Sequence, residues 1–141
     1  MGGDTIMGME IVRIGNGQIH LITTSVDETR TEYRKYTKSV PIEIRIAQRS
    51  MGKTIEGEEV AFKPQDAKSI SMILQNLVNK QTIPRITSIP GIEVINLGGR
   101  GALITKGDQS VEIPYEDISP LSDRLENISI MYTVERFENP M

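Results

Sequence analysis

The chain has 141 residues, 16 Lys and Arg against 19 Asp and Glu, one histidine and no cysteine or tryptophan. That length suits one domain with a real core. The missing cysteines rule out disulfides, thiol chemistry and cysteine-ligated zinc, and a lone His20 rules out a histidine-rich metal site or a catalytic histidine pair. No apolar run approaches the roughly 20 residues of a membrane span, and the first ten residues, MGGDTIMGME, lack the basic start and apolar stretch of a signal peptide. The expected setting is cytoplasmic, with no membrane association. Isoleucine is heavy, 21 against 7 leucines, which favours strands and fits a thermophilic source. The net charge of -3 is uneven: residues 28–53 carry seven basic side chains against three acidic, and residues 107–141 two against eight.

Residues 1–9 read as a disordered lead, residues 10–137 as one α+β domain, and 138–141 as a tail. Residues 10–14 begin a strand, Gly15-Asn16-Gly17 turns it, and 18–26 returns, Asn-Gly between apolar segments being a strong hairpin signal. His20 lies in the return strand, where a packed or edge role is the expectation. Residues 29–38, TRTEYRKYTK, read as one extended strand with Arg30, Glu32, Arg34, Tyr36 and Lys38 on one face and Thr31, Tyr33, Lys35 and Thr37 on the other. Neither face is apolar, so this strand is placed at an edge or as a projecting arm. Pro41 is expected to end it, with Ile42, Ile44 and Ile46 then pointing to the core. Residues 48–57 read as a polar turn.

The stretch 60–80, VAFKPQDAKSISMILQNLVNK, is the most explicit in the chain. Val60 and Phe62 alternate with polar neighbours as a half-buried strand does. Pro64 suits a first helical position, Asp66 the first turn, and Lys80 the last. Ala67, Ile70, Ile73, Leu74, Leu77 and Val78 recur every three or four residues, giving one apolar stripe. An isolated helix of this length is marginal in water, so it must lie on a sheet. After it, Pro84 and Pro90 predict an irregular loop. Residues 92–97, 102–106 and 110–115 read as a three-stranded meander turned by GGRG and KGDQ. Ser119 and Pro120 predict the start of a second helix of about two turns through Leu121, Leu125 and Ile128. Ile130, Tyr132 and Val134 alternate as a last strand.

A shift of 51 residues pairs Ile44 with Ile95, Arg49 with Arg100, Val60 with Val111 and Asp66 with Asp117. It also pairs Ser71 with Ser122, Leu74 with Leu125 and Asn76 with Asn127. Seven identities in 35 positions are too few to establish duplication, but strands followed by a helix occur twice. The expected architecture is therefore a twisted antiparallel sheet or open barrel of about eight or nine strands, packed by two helices, with an internal strand–helix repeat left open.

No motif carries catalysis. Met51-Gly52-Lys53-Thr54 lacks the upstream glycine and the following helix of a phosphate loop. Gly98-Gly99-Arg100-Gly101 is explained by a hairpin turn. The pairs Glu58/Glu59 and Glu116/Asp117 have no neighbour placed to raise one pKa. No catalytic residue, metal ligand or cofactor is assigned. What remains is a basic segment interleaved with tyrosines: Arg30, Tyr33, Arg34, Lys35, Tyr36 and Lys38, with Arg45, Arg49 and, further on, Arg100. Cations along a backbone and aromatic faces for bases are what single-stranded nucleic acid requires. Charges that protect an edge strand from aggregation explain the same residues.

With EEVAFKPQDAKSISMILQNL (58–77) as its strand-to-helix passage and strands closed by a helix twice, the chain resembles the transcriptional-coactivator and Whirly group of single-stranded DNA-binding proteins. The likeness spans residues 10–128 and is architectural; the group's lysine-rich tracts are absent and the overall acidity departs from it. It implies a non-catalytic single-stranded nucleic-acid binder. Separately, because neither face of residues 29–38 is apolar, that arm is expected to pair with another subunit or a ligand, giving a homodimer or other homo-oligomer. SVEIPYEDI (110–118) is similar to segments of pleckstrin-homology-like barrels, which implies a protein- or lipid-contacting module. The alternative reading is therefore a protein-interaction or structural module, either such a barrel or a viral or archaeal accessory protein, with no nucleic-acid role.

Overall fold

The computed structural model describes the backbone of residues 5–15, 17–30, 36–50, 53–79 and 84–138, and the side chains of 8–15, 17–27, 39–49, 58–79 and 84–131. Four strands, β1 (Thr5–Ile14), β2 (Ile19–Arg30), β3 (Tyr36–Ser50) and β4 (Lys53–Phe62), lead through a 3₁₀ turn at Pro64–Asp66 into α1 (Ala67–Val78). The scheme then repeats: β5 (Ile86–Ile89), β6 (Ile92–Asn96), β7 (Gly101–Lys106), β8 (Gln109–Pro114) and α2 (Tyr115–Glu138). The eight strands form one open sheet in the order β1-β2-β3-β4-β8-β7-β6-β5. Neighbours within each meander are antiparallel. The meanders join where β4 and β8 run parallel, at Glu58 and Glu59 against Ser110. The expected α+β architecture, an antiparallel sheet of about eight strands with two helices, is thus present as one open sheet.

Alternation supplies the core. Ile14, Ile19, Leu21, Ile44, Ile46, Val60 and Phe62 from the first meander, and Ile92, Val94, Ala102, Ile104, Val111 and Ile113 from the second, are buried in one cluster with both helices. Each such aliphatic side chain is worth roughly 1.5 to 3 kcal/mol when fully buried. The α1 stripe is as its spacing predicts: Ala67, Ile70 and Leu74 are fully buried, and Ile73, Leu77 and Val78 pack at its margin.

The helices cross at Ser71 and Ser122, small residues that let the backbones approach. Each hydroxyl donates to the other's backbone carbonyl, Ser71 Oγ to Ser122 O at 2.9 Å and Ser122 Oγ to Ser71 O at 3.0 Å. Gln75 Nε2 donates to Glu126 Oε2 at 3.2 Å, again across a separation of 51 residues. Identical residues meeting reciprocally is the mark of a twofold contact, here within one chain. The fold is a duplicated ββββα unit.

The correspondence holds at 51 residues only from β4 onward. Ile46 lies opposite Val60 as Ile104 lies opposite Val111; Leu21 lies opposite Ile46 as Val94 lies opposite Ile104. The longer strands of the β3–β4 hairpin, 15 and 10 residues against 6 and 6, move the earlier strands out of the shift. The identities of Ile44 with Ile95 and Arg49 with Arg100 are therefore not structural equivalences: Ile44 corresponds to Ala102, both lying opposite the residue before their helix-leading turn, Phe62 and Ile113.

Several expected boundaries change. β1 begins at Thr5, inside the expected lead. Residues 29–38 are not one strand: Arg30 closes β2, Tyr36 opens β3, and the two are paired antiparallel. Pro41 does not end β3. The β2–β3 register slips between Thr24 and Ser25, leaving Ile42 as an extra residue; this bulge accommodates a residue with no N–H. It also explains why Ile42 is 44% exposed while Ile44 and Ile46 are buried. Residues 48–57 belong mostly to β3 and β4, with Ser50 opposite Lys53. β5 fits between Pro84 and Pro90 because an edge strand of four residues needs few donors. The expected last strand 130–134 is helical. Tyr115 follows β8 directly, Glu116 and Asp117 suit the first turn, and Pro120 lies inside the helix at the loss of one hydrogen bond to Glu116. Burial of Ile118, Leu121 and Leu125 offsets that loss.

Candidate nucleic-acid interface

On the first meander, residues one step out of phase with the core occupy the opposite face. In β1 and β2 the Gly15–Gly17 turn fixes Arg13 directly across from His20, because Ile14 pairs with Ile19. His20 lies across from Ala47, and Ile22 across from Arg45. Arg49 follows Ala47 by one full repeat on the same face, its backbone N–H donating to Gln18 O at 2.7 Å. Arg13, His20, Arg45 and Arg49 thus share one surface, since directly opposed side chains stand about 4.5 to 5.5 Å apart at Cβ. Ile22 and Ala47, on this same face, are buried.

His20 is held by Nε2, which sits 3.1 Å from Gly17 O. Only a protonated Nε2 can bond a carbonyl, so in the neutral ring Nδ1 is the acceptor. That Nδ1 is buried without a hydrogen-bond partner, and so are Nε of Arg49 and Nε of Arg45. Burial lowers the His20 pKa most, and the charge of Arg49 lowers it next; the Gly17 bond opposes them, and the charge of Arg13 adds the smallest lowering. The ring is neutral at pH 7 and its two cationic neighbours set the local potential.

The arginines differ in partners. Arg45 Nη2 donates to Glu43 Oε1 at 3.1 Å and Nη1 lies 3.8 Å from Glu59, so local carboxylates answer much of its charge. Arg100, in the turn between β6 and β7, is on the other meander and donates to Glu112 Oε1 at 3.0 Å. It does not join Arg45 and Arg49. Lys106 is anchored to the first meander instead, its Nζ donating to Ala61 O at 3.0 Å, beside Gln109 Oε1, which accepts from Ala61 N–H.

Of the other candidates, Arg30, Tyr36 and Lys38 lie on the paired ends of β2 and β3, with Arg30 opposite Tyr36 and Lys38 opposite Glu28. Tyr33, Arg34 and Lys35 lie outside the described residues. Arg13 and His20 were not among the sequence candidates. The signal that could have found them is the hairpin register: once Ile14 and Ile19 flank the turn, Arg13 and His20 must face each other.

The second meander's equivalent face carries Glu93 and Glu112 beside Thr105 and Ser110. A groove of about 280 Å³ between the helices is lined by Lys68, Met72, Gln75, Glu126 and Ile130 with the two buried serines Ser71 and Ser129. Among the described residues no group of three or more His, Asp or Glu is placed to hold a metal ion, and no helix is long and apolar enough to cross a membrane. No family model matches the chain, and no curated protein or solved structure matches it.

Proposed function

We propose that the protein binds single-stranded nucleic acid, without catalysis, along the outer face of the first meander. The observation that carries this reading is the grouping of Arg13, His20 and Arg49 on one sheet face, with the His20 Nδ1 and Arg49 Nε atoms buried and lacking partners. A phosphate would supply acceptors to the guanidinium groups, and protonation of His20 would make its Nδ1 a further donor. The strip leads along β2 and β3 toward the hairpin that bears Arg30, Tyr36 and Lys38, with Tyr33, Arg34 and Lys35 between them in sequence. A net charge of -3 works against binding at the acidic second half and confines a polyanion to the first.

Fluorescence anisotropy with a labelled oligonucleotide tests this. The affinity falls with salt at a slope of about -0.7 per neutralised phosphate, so about four contacts give roughly -3. Arg13→Ser with Arg49→Ser flattens the slope by about one to two units at the same rate per contact. Tyr33→Ala and Tyr36→Ala weaken binding with the slope kept, because stacking releases no counterions. Absence of binding at about 0.1 mM, the weak end of ordinary non-specific affinity, overturns the reading.

A docking module for another protein is the second reading. β3 gains β4 as a neighbour only from Ile44 onward, so its preceding residues offer an open edge to a partner strand.

A further inference from the structure

The two outermost strands of the sheet are guarded very differently. β5 is four residues long and bounded by Pro84 and Pro90, a short edge of the kind that resists strand addition. β1 is ten residues long, contains no proline, and pairs with β2 through ten successive positions without a bulge. It exposes Met9 and Ile11 at 66% and 52%, and among the described residues nothing pairs its outer side. A long, regular, apolar edge is a template for another strand.

We infer that a second copy of this chain covers β1, the two β1 strands pairing antiparallel about a twofold axis through Met9, so that the sheet continues from one copy into the other. The charges and the pleat favour this arrangement. β1 carries one acid, Glu10, and one base, Arg13, so it attracts neither an acidic nor a basic foreign strand. In a continuous sheet opposed residues must share a face, which puts the axis through a residue rather than between two. An axis through Glu10 or Arg13 sets like charges directly opposite, which is destabilising. An axis through Ile11 sets Met9 against Arg13. The axis through Met9 sets Met9 opposite itself, Gly8 opposite Glu10, Met7 opposite Ile11, Ile6 opposite Val12 and Thr5 opposite Arg13 in register. Met9 meets Met9 at the axis, and no like charges meet. The face bearing Arg13 and His20 stays on the same side in both copies.

The chain has no cysteine, so an introduced thiol has no competitor. At the axis, opposed Cα atoms lie about 4.5 to 5.5 Å apart, inside the roughly 4.4 to 6.8 Å range of a disulfide. Met9→Cys gives a covalent dimer under mild oxidation. Ile11→Cys does not, because two copies of residue 11 are displaced by four residues, about 13 Å. Light scattering on the unmodified protein at about 0.1 mM gives a dimer, a Kd well below that concentration and so a free energy more favourable than about -5.5 kcal/mol; Met9→Lys, at an exposed position, gives a monomer with an unchanged circular dichroism spectrum. A monomeric unmodified protein overturns the inference. Cross-linking of Met9→Cys no faster than of Asp108→Cys, or cross-linking of Ile11→Cys in its place, overturns it equally.

Discussion

The two ββββα halves share one scheme and differ in proportion. The first builds strands of 10, 12, 15 and 10 residues, the second strands of 4, 5, 6 and 6. From β4 and β8 through the helix crossing they correspond residue by residue: Val60 with Val111, Ser71 with Ser122, Leu74 with Leu125, all buried. Away from the crossing they diverge, because nothing in the shared core depends on strand length. The extra length of the first half carries the exposed residues Met9, Ile11 and Ile42 and the basic hairpin, while the second half is cut to what the core needs. The two halves thus share a core and differ in how much strand they extend beyond it.

The comparison is broken most severely in the core. Leu74→Ala and Leu125→Ala should each cost about 2 to 5 kcal/mol in urea melts, the usual range for a buried leucine, and by similar amounts since the two sites correspond. A loss at Leu125 several times smaller than at Leu74 would show that the halves do not share one core.

The crossing is the next most sensitive point. Ser71→Ala or Ser122→Ala removes the hydroxyl donor to a helical carbonyl of the other helix, costing about 0.5 to 1.5 kcal/mol, the net worth of one hydrogen bond. The double replacement should cost less than the two single losses together, as coupled neighbours do. Strict additivity in the double-mutant cycle would deny the reciprocal pair.

Two turns at equivalent places sharpen the contrast. Gly15 and Gly91 both have positive φ, 57° and 81°, so alanine at either costs about 1 to 2 kcal/mol. At Gly15 a methyl group would also collide with the Asp117 carboxylate from α2, whereas around Gly91 the space is open. Gly15→Ala should therefore melt measurably lower than Gly91→Ala, and equal melting temperatures would contradict the seating of α2 against the β1–β2 turn.

The smallest effect is one of pH. His20 titrates below its ordinary 6.5 in the folded protein. As pH falls from 6.5, the unfolded chain takes up a proton before the folded one does. This group's contribution to stability is therefore full above 6.5 and declines as pH drops toward the folded value. Urea melts at pH 7.5 and 5.5 should show a smaller decline for His20→Gln than for the unmodified chain.

How much of this was legible depends on how each residue signals its place. α1 was plain because its stripe is aliphatic throughout. α2 was cut short because its inward row runs Ile118, Leu121, Ser122, Leu125, Ile128, Ser129: two buried positions are serine, which pattern reading counts as outward, and Ile130 and Val134 then mimic alternation. β5 was hidden by its flanking prolines. Pro41 misled because a bulge is a property of the pair of strands, not of either sequence. The repeat was visible at 51 residues only from the end of β4 to the helix, because the longer strands of the first half put everything before that point out of step. For the site, Arg45 and Arg49 stood out through local charge density. Arg13 and His20 did not, because a cross-strand neighbour is defined by register, and register had to be carried through the Gly15–Gly17 turn to bring them together.

The most direct test of the central claim is an amide NMR titration of the ¹⁵N-labelled protein with an oligothymidylate of about a dozen nucleotides, in the range of single-strand site sizes. The account predicts shifts confined to the first half, strongest at Arg13, His20, Arg45 and Arg49 and along β2 and β3. It also predicts that Arg100, Glu112 and the rest of β5–β8 stay unmoved. Shifts centred on the second meander or on the helix groove at Met72 and Ile130, or no shifts at all, would contradict it.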